Sequence, residues 1–275
     1  MAAAADYAIT FACYNQVAYT KACVESMVRH GVDLGRVVAV DNGSGDETRE
    51  YLSSLPLGGR ALNKVNLGCG VAWNQGALAL QATWTIVMNN DVLVSPHWID
   101  GLIGAAETHG LKIVSPALIE GADDYDVDAY LAEASERMKG ALRPGVPHAV
   151  CVAIHESVWM DIGYFASVPK LWGYEDTLFF HAARKAGIAS GITGASWLHH
   201  YGSITLSAMK RERGLTGKQG LSDRRAYRLL QETWLQRKLE KARRLRQLRE
   251  WRSQELARYG MTLHGVRENG TFRWL

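Results

Sequence analysis

Thr83-Trp84-Thr85-Ile86-Val87-Met88-Asn89-Asn90-Asp91 decides how this sequence folds. The run Thr83–Met88 is uncharged, contains β-branched residues and lacks the alternation of a strand with one wet face. It reads as a strand covered on both sides, which is the condition of a parallel sheet. The run then stops abruptly on three polar side chains.

Three similar units precede it. Tyr7–Cys13 is an apolar run ending in Tyr14-Asn15, followed by a helical pattern from Val17 to about His30 that Gly31 stops. Arg36–Val40 ends in Asp41-Asn42-Gly43-Ser44 and leads into a short helix over Asp46–Leu55. Ala61–Val65, a weaker strand, ends in Asn66-Leu67-Gly68 and leads into an alanine-rich helix that finishes near Ala82. After Asp91, Ser95 reads as a helix N-cap, Pro96 as the first helical residue and Gly110 as the stop. Alternating strands and helices predict an α/β chain with a mostly parallel central sheet flanked by helices. In such a sheet, ligands bind outside the carboxyl ends of the strands. Any one polar end is explained by a turn, and Asp-Asn-Gly-Ser alone usually is one. Four in succession line one crevice and point to a nucleotide-like ligand.

Beyond Pro116 the pattern breaks. Glu120–Pro147 is acidic and then Gly- and Pro-containing, and reads as a mobile excursion holding one helix. His148–Ile154 is strand-like, Glu175–Ala186 helical, and Ile188–Trp197 reads as short strands. The acidic run Asp123–Asp128 lacks the glycine and closing glutamate of a calcium loop and reads as solvated. From Ser222 to about Tyr259 a long basic helix is expected, and the last fifteen residues are ambiguous.

At 275 residues, 47% of them hydrophobic, the chain can bury a full core. No stretch approaches the ~18 apolar residues of a membrane span, and Met1 followed by four alanines lacks the basic and long apolar regions of a signal peptide. The four cysteines, Cys13, Cys23, Cys69 and Cys151, form no CxxC pair and read as buried filler in a reducing, cytoplasmic compartment. The net charge of +3 hides a split, because residues 210–258 carry 16 Lys and Arg against 6 Asp and Glu. A basic tail on an acidic body argues against nucleic acid as the partner.

At the strand ends the chain resembles family 2 glycosyltransferases of the GT-A fold, from about Ala8 to Thr205. The matching segments are Ala12–Asn15, Asp41–Asp46, Asn66–Gly68 with Ala72 and Asn74, Met88–Val92, Gly163–Phe165 and Gly173–Asp176. The resemblance implies a GT-A domain over residues 1–207, its nucleotide-sugar half at 1–115 and its acceptor and catalytic half at 116–207. A basic helical extension then occupies 208–275.

The resemblance further implies that Asp41 hydrogen-bonds the donor base beside Ala12, Tyr14 and Asn15. Asn66, Gly68 and Asn74 would border nucleotide and sugar. Asn89-Asn90-Asp91 stands where the family has its DxD motif; Asp91 would bind Mn²⁺ or Mg²⁺, and Asn89 and Asn90 would contact the donor. Only one carboxylate of the motif is kept, so the metal is expected to bind mainly together with the donor. His199, rather than His200, matches the late histidine that completes the metal shell in many GT-A enzymes; a structural or acceptor-contacting histidine fits equally. Asp176 is implied as the general base of an inverting transfer and Glu175 as a neighbour that fixes acceptor or loop. Plain helix capping explains both acids as well. Trp172 and Tyr174 are the candidate acceptor contacts, Trp172 either stacking on a sugar or lying in the core.

The function implied is transfer from a nucleotide-sugar whose base is uracil, thymine or guanine, a UDP- or dTDP-sugar foremost; the Asn-Asn-Asp variant resembles rhamnosyltransferase-like members that use dTDP-sugars. The acceptor would be a lipid-linked glycan, a growing polysaccharide or a protein. Two other readings compete. A nucleotidyltransferase needs a Gly-rich basic loop after the first strand, where this chain has Cys13–Gln16. A non-catalytic donor-binding module would have no need to keep Asp91 and Asp176 together. In the tail, Leu235, Leu239, Ala242, Leu245 and Leu248 recur every three or four residues among seven Lys and Arg, bracketed by Trp234 and Trp251. Such a helix fits peripheral contact with an anionic inner membrane face. It fits equally a helix packed on its own body or in a homodimer.

Overall fold

The computed structural model of the protein describes residues 6–167, 174–202, 204, 229, 230 and 233–275. Strand β1 (Tyr7–Cys13) is followed by α1 (Val17–Arg29), β2 (Val37–Asp41), α2 (Thr48–Ser54), β3 (Gly59–Leu62), α3 (Cys69–Ala79) and β4 (Trp84–Asn89). Next come β5 (Val92–Val94), α4 (Trp98–His109), β6 (Ile113–Gly121), α5 (Val127–Met138), β7 (Leu142–Pro144), β8 (Cys151–His155) and α6 (Glu156–Ile162). The rest of the described chain forms α7 (Glu175–Lys185), β9 (Ser190–His200), a 26-residue helix, here α8 (Trp234–Tyr259), β10 (His264–Glu268) and β11 (Thr271–Trp274).

The strands form one sheet in the order β11-β10-β6-β8-β4-β1-β2-β3, with β9 lying against β5, β6 and β7 off that path. The first half is parallel as expected: β1 pairs with β2 and β4, and β2 with β3, all in the same direction. The second half is mixed, because β8 runs antiparallel to both β4 and β6. Helices α1 and α4 bury Cys23, Val24, Met27, Leu102 and Ile103 against Ile9, Phe11 and Met88 on one face. On the other face Trp73, Phe165 and Phe179 close over Val87 and Val152. With both faces covered, β2 is buried at every residue, which is why these strands are uniformly apolar.

Several elements differ from the sequence-based expectation. Helix α4 starts at Trp98, not at Pro96, and is preceded by His97 in a left-handed conformation. Ser95 is no cap: its hydroxyl donates instead to the Trp197 carbonyl at 2.9 Å, so the chain must turn once more before the helix begins. Pro116 does not end the pattern, because β6 runs through it, with a register shift against β9 between Pro116 and Ala117. Residues 120–147 are no loose excursion either. Asp126 caps α5 by accepting from the Ala129 N–H, and Leu131, Ala134 and Met138 pack in a third core cluster with Trp197, Met261 and Leu263. The other acids of that run also have partners. Asp123 accepts from the Tyr201 hydroxyl, Asp124 from Arg267, and Asp128 pairs with Arg29 and His30.

The basic helix is present as α8 from Trp234 rather than from Ser222, with Thr233 as its extended N-cap and residues 222–228, 231 and 232 outside the described residues, and the chain does not end with it. After Gly260, β10 adds in parallel to β6 and β11 folds back on β10, so the last residues belong to the central sheet. A buried ion pair anchors this return: Arg143 Nε and Nη2 each donate to Glu255 at 2.6 Å, and Glu255 Oε2 also accepts from the Leu263 N–H. Among the described residues no helix is long and apolar enough to cross a membrane.

Removing one partner of such a pair leaves a buried uncompensated charge, which costs roughly 3–5 kcal/mol. Arg143→Ala should therefore lower the urea unfolding free energy by about that much. Arg246→Ala, which removes an exposed pair with Glu250 on the same helix, should change it by less than about 0.5 kcal/mol. Equal effects of the two substitutions would contradict this account of how the C-terminal segment is held.

Candidate active site at the strand ends

The loops after β1 and β2 are built as one unit. Asn15 and Gln16 both take left-handed backbone conformations, with φ of 53° and 61°, a geometry that non-glycine residues hold only when the surroundings impose it. Here the β2 loop does so. The Asn15 N–H donates to Ser44 Oγ at 2.8 Å, the Gly45 N–H donates to Asn15 Oδ1 at 2.8 Å, and the Val17 N–H donates to Asp46 Oδ2 at 3.0 Å. Gly43 has φ of 87°, and a Cβ there would lie 2.8 Å from the Val65 carbonyl carbon. Only glycine lets the β2 loop sit directly on the chain leading into Asn66.

Asn42 is the hub of these loops. Its Nδ2 donates to Asn66 Oδ1 and to the Gly68 carbonyl, while its Oδ1 accepts from the Leu67 N–H and from Asn63 Nδ2. Asn63 and Gln75 exchange two further amide bonds, tying the loop to α3. Asp41 is fully buried. Its Oδ1 accepts from the Ser44 N–H at 3.1 Å, and its Oδ2 pairs with Arg49, which also donates to the Asn63 carbonyl. In this structure Arg49 therefore covers the carboxylate expected to meet the donor base.

Helix α3 carries the next groups. Asn74 uses both ends of its amide on the Phe165 backbone, donating to the carbonyl at 2.8 Å and accepting from the N–H at 3.0 Å. It clamps the Gly163–Phe165 segment to α3. Gly70 allows the start of α3 to abut the start of α7, since a Cβ there would sit 2.9 Å from Glu175 Cγ. Glu175 is buried and accepts from the Tyr174 N–H at 2.9 Å. With Leu67, Gly68, Gly70, Ala166 and Ser167 it lines a small pocket. Burial raises the Asp176 carboxyl above its ordinary value, with the Thr177 N–H and hydroxyl opposing that rise. Trp172 lies outside the described residues.

Crowding at the head of α3, and then the charges of Glu175, Asp91 and Asp176, push the Cys69 thiol up to about 12, although the residue keeps surface open to solvent.

At the end of β4 the three polar residues point different ways. Asn89 is half-buried at the strand terminus. Asn90 turns inward and donates to Thr20 Oγ1 on α1 at 2.9 Å. Asp91 is buried, and its Oδ1 has no hydrogen-bond partner among the described residues. The atom facing it is Nε2 of His200, at 3.4 Å. His199 is not beside Asp91: its Nδ1 meets the Tyr125 hydroxyl at 2.9 Å. The alternation of β9 accounts for the reversal, because adjacent residues on a strand face opposite sides.

A carboxylate oxygen and an imidazole nitrogen suit Mn²⁺, and the oxygen suits Mg²⁺. Among the described residues no group of three or more such side chains surrounds one point. Among the described residues, Asp91 and His200 are the two side chains that would hold such a cation. Burial disfavours charge on His200, but Asp91 and Glu120 outweigh it and push the imidazole up to about 9.

The sequence reading missed Asn42 as the loop hub, and missed His200, Glu120 and His264 as neighbours of Asp91. Asn42 was visible within Asp41–Ser44, but its partners are 21 to 26 positions away.

A parallel half-sheet with these loops at its carboxyl edge, extended by a mixed half bearing a late histidine, is the GT-A fold. The sequence matches glycosyl transferase family 2 over residues 9–153, more than half of the chain, and the chain belongs to that family. A search of the curated proteins finds no match. Among solved structures, GalNAc-T7 with UDP, GalNAc and Mn²⁺ aligns with TM-score 0.57 at 15% identity, covering 73% of this chain and 44% of that one. The mannosyltransferase PcManGT from Pyrobaculum calidifontis, in complex with GDP-Man and Mn²⁺, aligns with TM-score 0.53 at 16% identity, covering 76% and 61%. S. aureus TarS 1-349 in complex with UDP-GlcNAc aligns with TM-score 0.52 at 15% identity, covering 74% and 60%. At these identities the likeness is one of fold, and this chain spans less than two thirds of each neighbour.

Asn42→Ala should leave the Leu67 N–H without its acceptor and take one hydrogen bond each from Asn63 and Asn66, at about 0.5–1.5 kcal/mol per bond. We expect faster proteolysis across residues 63–68 with the helices intact by circular dichroism. Unchanged cleavage there would show that Asn42 is not the hub.

Proposed function

We propose that the chain is an inverting glycosyltransferase. It moves a sugar from a nucleotide-sugar, a UDP- or dTDP-sugar, to a hydroxyl on a glycan, lipid-linked or protein acceptor. This reading rests on family membership, supported by the place of Asp91 just past β4, at the carboxyl edge of the parallel strands, and of Asp176 in the first turn of α7. Nucleotide-sugars and Mn²⁺ in the neighbouring structures support the same ligand class.

The roles follow from position. Asp41 and the Ala12–Asn15 segment flank the base, with Arg49 moving off Asp41 as the base arrives. Asn66, Gly68 and Asn89 border the ribose and pyrophosphate. Asp91 and His200 hold Mn²⁺ or Mg²⁺, which when bound supplies positive charge against the departing diphosphate. Asp176 accepts the proton of the attacking hydroxyl, and its raised basicity suits that task. Glu175 holds the start of α7 against α3 and so fixes where Asp176 stands. Tyr174, the residue before α7, and Trp172 border the acceptor.

Asp91→Ala should abolish transfer and metal-dependent nucleotide binding in a folded protein; full turnover in excess EDTA would sink the metal role. Asp176→Asn should keep donor affinity and lower kcat by ~10²–10⁴-fold. A base must be deprotonated to act, so kcat/KM should rise with pH through a value above the ordinary aspartate pKa of about 3.9. That limb should vanish in Asp176→Asn. Collapse of donor affinity alongside rate would make Asp176 a donor or structural residue instead.

For the acceptor side we propose contact between α8 and an anionic membrane surface. Trp234, Leu235 and Leu239 are 64%, 57% and 54% exposed in the half of the helix remote from its anchor at Glu255. The dense Lys and Arg around them repel a second copy and attract anionic headgroups. Full-length protein should sediment with anionic liposomes at low salt and release at high salt, whereas salt-sensitive self-association without liposomes would favour the homodimer.

A further inference from the structure

We infer that Glu120 is the positioning residue of the candidate metal centre: clasped by His264 from the C-terminal strand, it holds the His200 ring so that Nε2 faces Asp91. The inference rests on the metal-assisted reading above, which names Asp91 and His200 but nothing behind them.

The strand register brings these groups together. Glu120 on β6 lies directly opposite His200 on β9, and His264 on β10 lies opposite Leu118, two residues back on the same face as Glu120. Three neighbouring strands thus set His200, Glu120 and His264 in a row. Glu120 Oε1 meets His200 Nδ1 at 3.3 Å, and its Oε2 meets His264 Nε2 at 3.3 Å. At the far end of the row, His200 Nε2 stands 3.4 Å from Asp91 Oδ1.

An ionised carboxylate has no proton to donate, so the His200 nitrogen it meets must be the one that carries hydrogen. That assigns the proton to Nδ1. It leaves Nε2 as the nitrogen that offers a lone pair to a cation shared with Asp91. In metal sites the partner of the non-ligating nitrogen sets the tautomer and ring orientation in this way. The other oxygen of Glu120 faces the His264 imidazole, so the C-terminal strand reaches the metal centre through one carboxylate. His199, on the other face of β9, has Tyr125 as its partner and no part in the row.

Two substitutions of similar size isolate the acceptor function. Both Glu120→Gln and Glu120→Met remove the charge, but only Gln can still accept from the Nδ1–H. Mn²⁺ affinity is read from the free-ion EPR signal of the full chain with UDP present, alongside the thermal midpoint. Glu120→Met should weaken Mn²⁺ binding by ~10–100-fold, the usual loss when such a partner is removed. Glu120→Gln should stay within a few-fold of the parent. Equal weakening by Gln and Met would mean that Glu120 acts through its charge alone and would overturn the inference, as would parental affinity in the Met variant. His200→Ala and Asp91→Ala separate the two levels. If both bind Mn²⁺ as the parent does, the metal reading itself fails and the inference falls with it. If both lose Mn²⁺ while Glu120→Met does not, only the positioning role is lost.

Discussion

Parallel pairing of β1 with β2 on one side and β4 on the other brings Cys13 opposite Asp41 and Ala12 opposite Asn89. Three strands that run the same way and end at the same level must release their loops at one edge, and every polar group of the crevice starts from that edge. The register is held by burial on both faces. Ile9 and Phe11 are fully covered on the side of α1 and α4, while Thr10 is overlain by α3 so closely that a Cβ on Gly76 would strike its hydroxyl. A slip of one residue would turn each of these side chains to the wrong layer.

From that edge the loops cannot wander, because their polar groups are satisfied by one another. Asn42, Asn63, Asn66 and Gln75 form a closed amide network under the Leu67–Gly68 turn. A half-satisfied network buried at this depth would be worse than an apolar one. The same economy of space brings the start of α3 against the start of α7 at Gly70 and Glu175.

The second half of the sheet solves a different problem. There β9 and β10 both join β6 in parallel, so residues distant in sequence become lateral neighbours: Glu120, His200 and His264 come from three segments and lie in one row. The C-terminal segment would be free to leave without the buried Arg143–Glu255 pair, which ties the base of α8 to β7 before β10 enters the sheet. The outer part of α8 remains exposed and strongly basic.

What the sequence determined by itself was the parallel half. Tyr7–Cys13 and Glu175–Ala186 were legible almost to the residue, because apolar runs, helix periods and glycine stops are local signals. The polar ends at Asp41, Asn66 and Asp91 were legible for the same reason. Tertiary structure alone decided what those residues face. Asn74 and Asn90 turned out to bind the framework, His200 rather than His199 met Asp91, and the ambiguous last residues joined β6. None of this is written locally, since a strand's alternation says that His199 and His200 face opposite ways but not which face meets Asp91. That choice depends on how β9 pairs with β5 and β6, and pairing between strands far apart in sequence is settled only when the whole sheet packs.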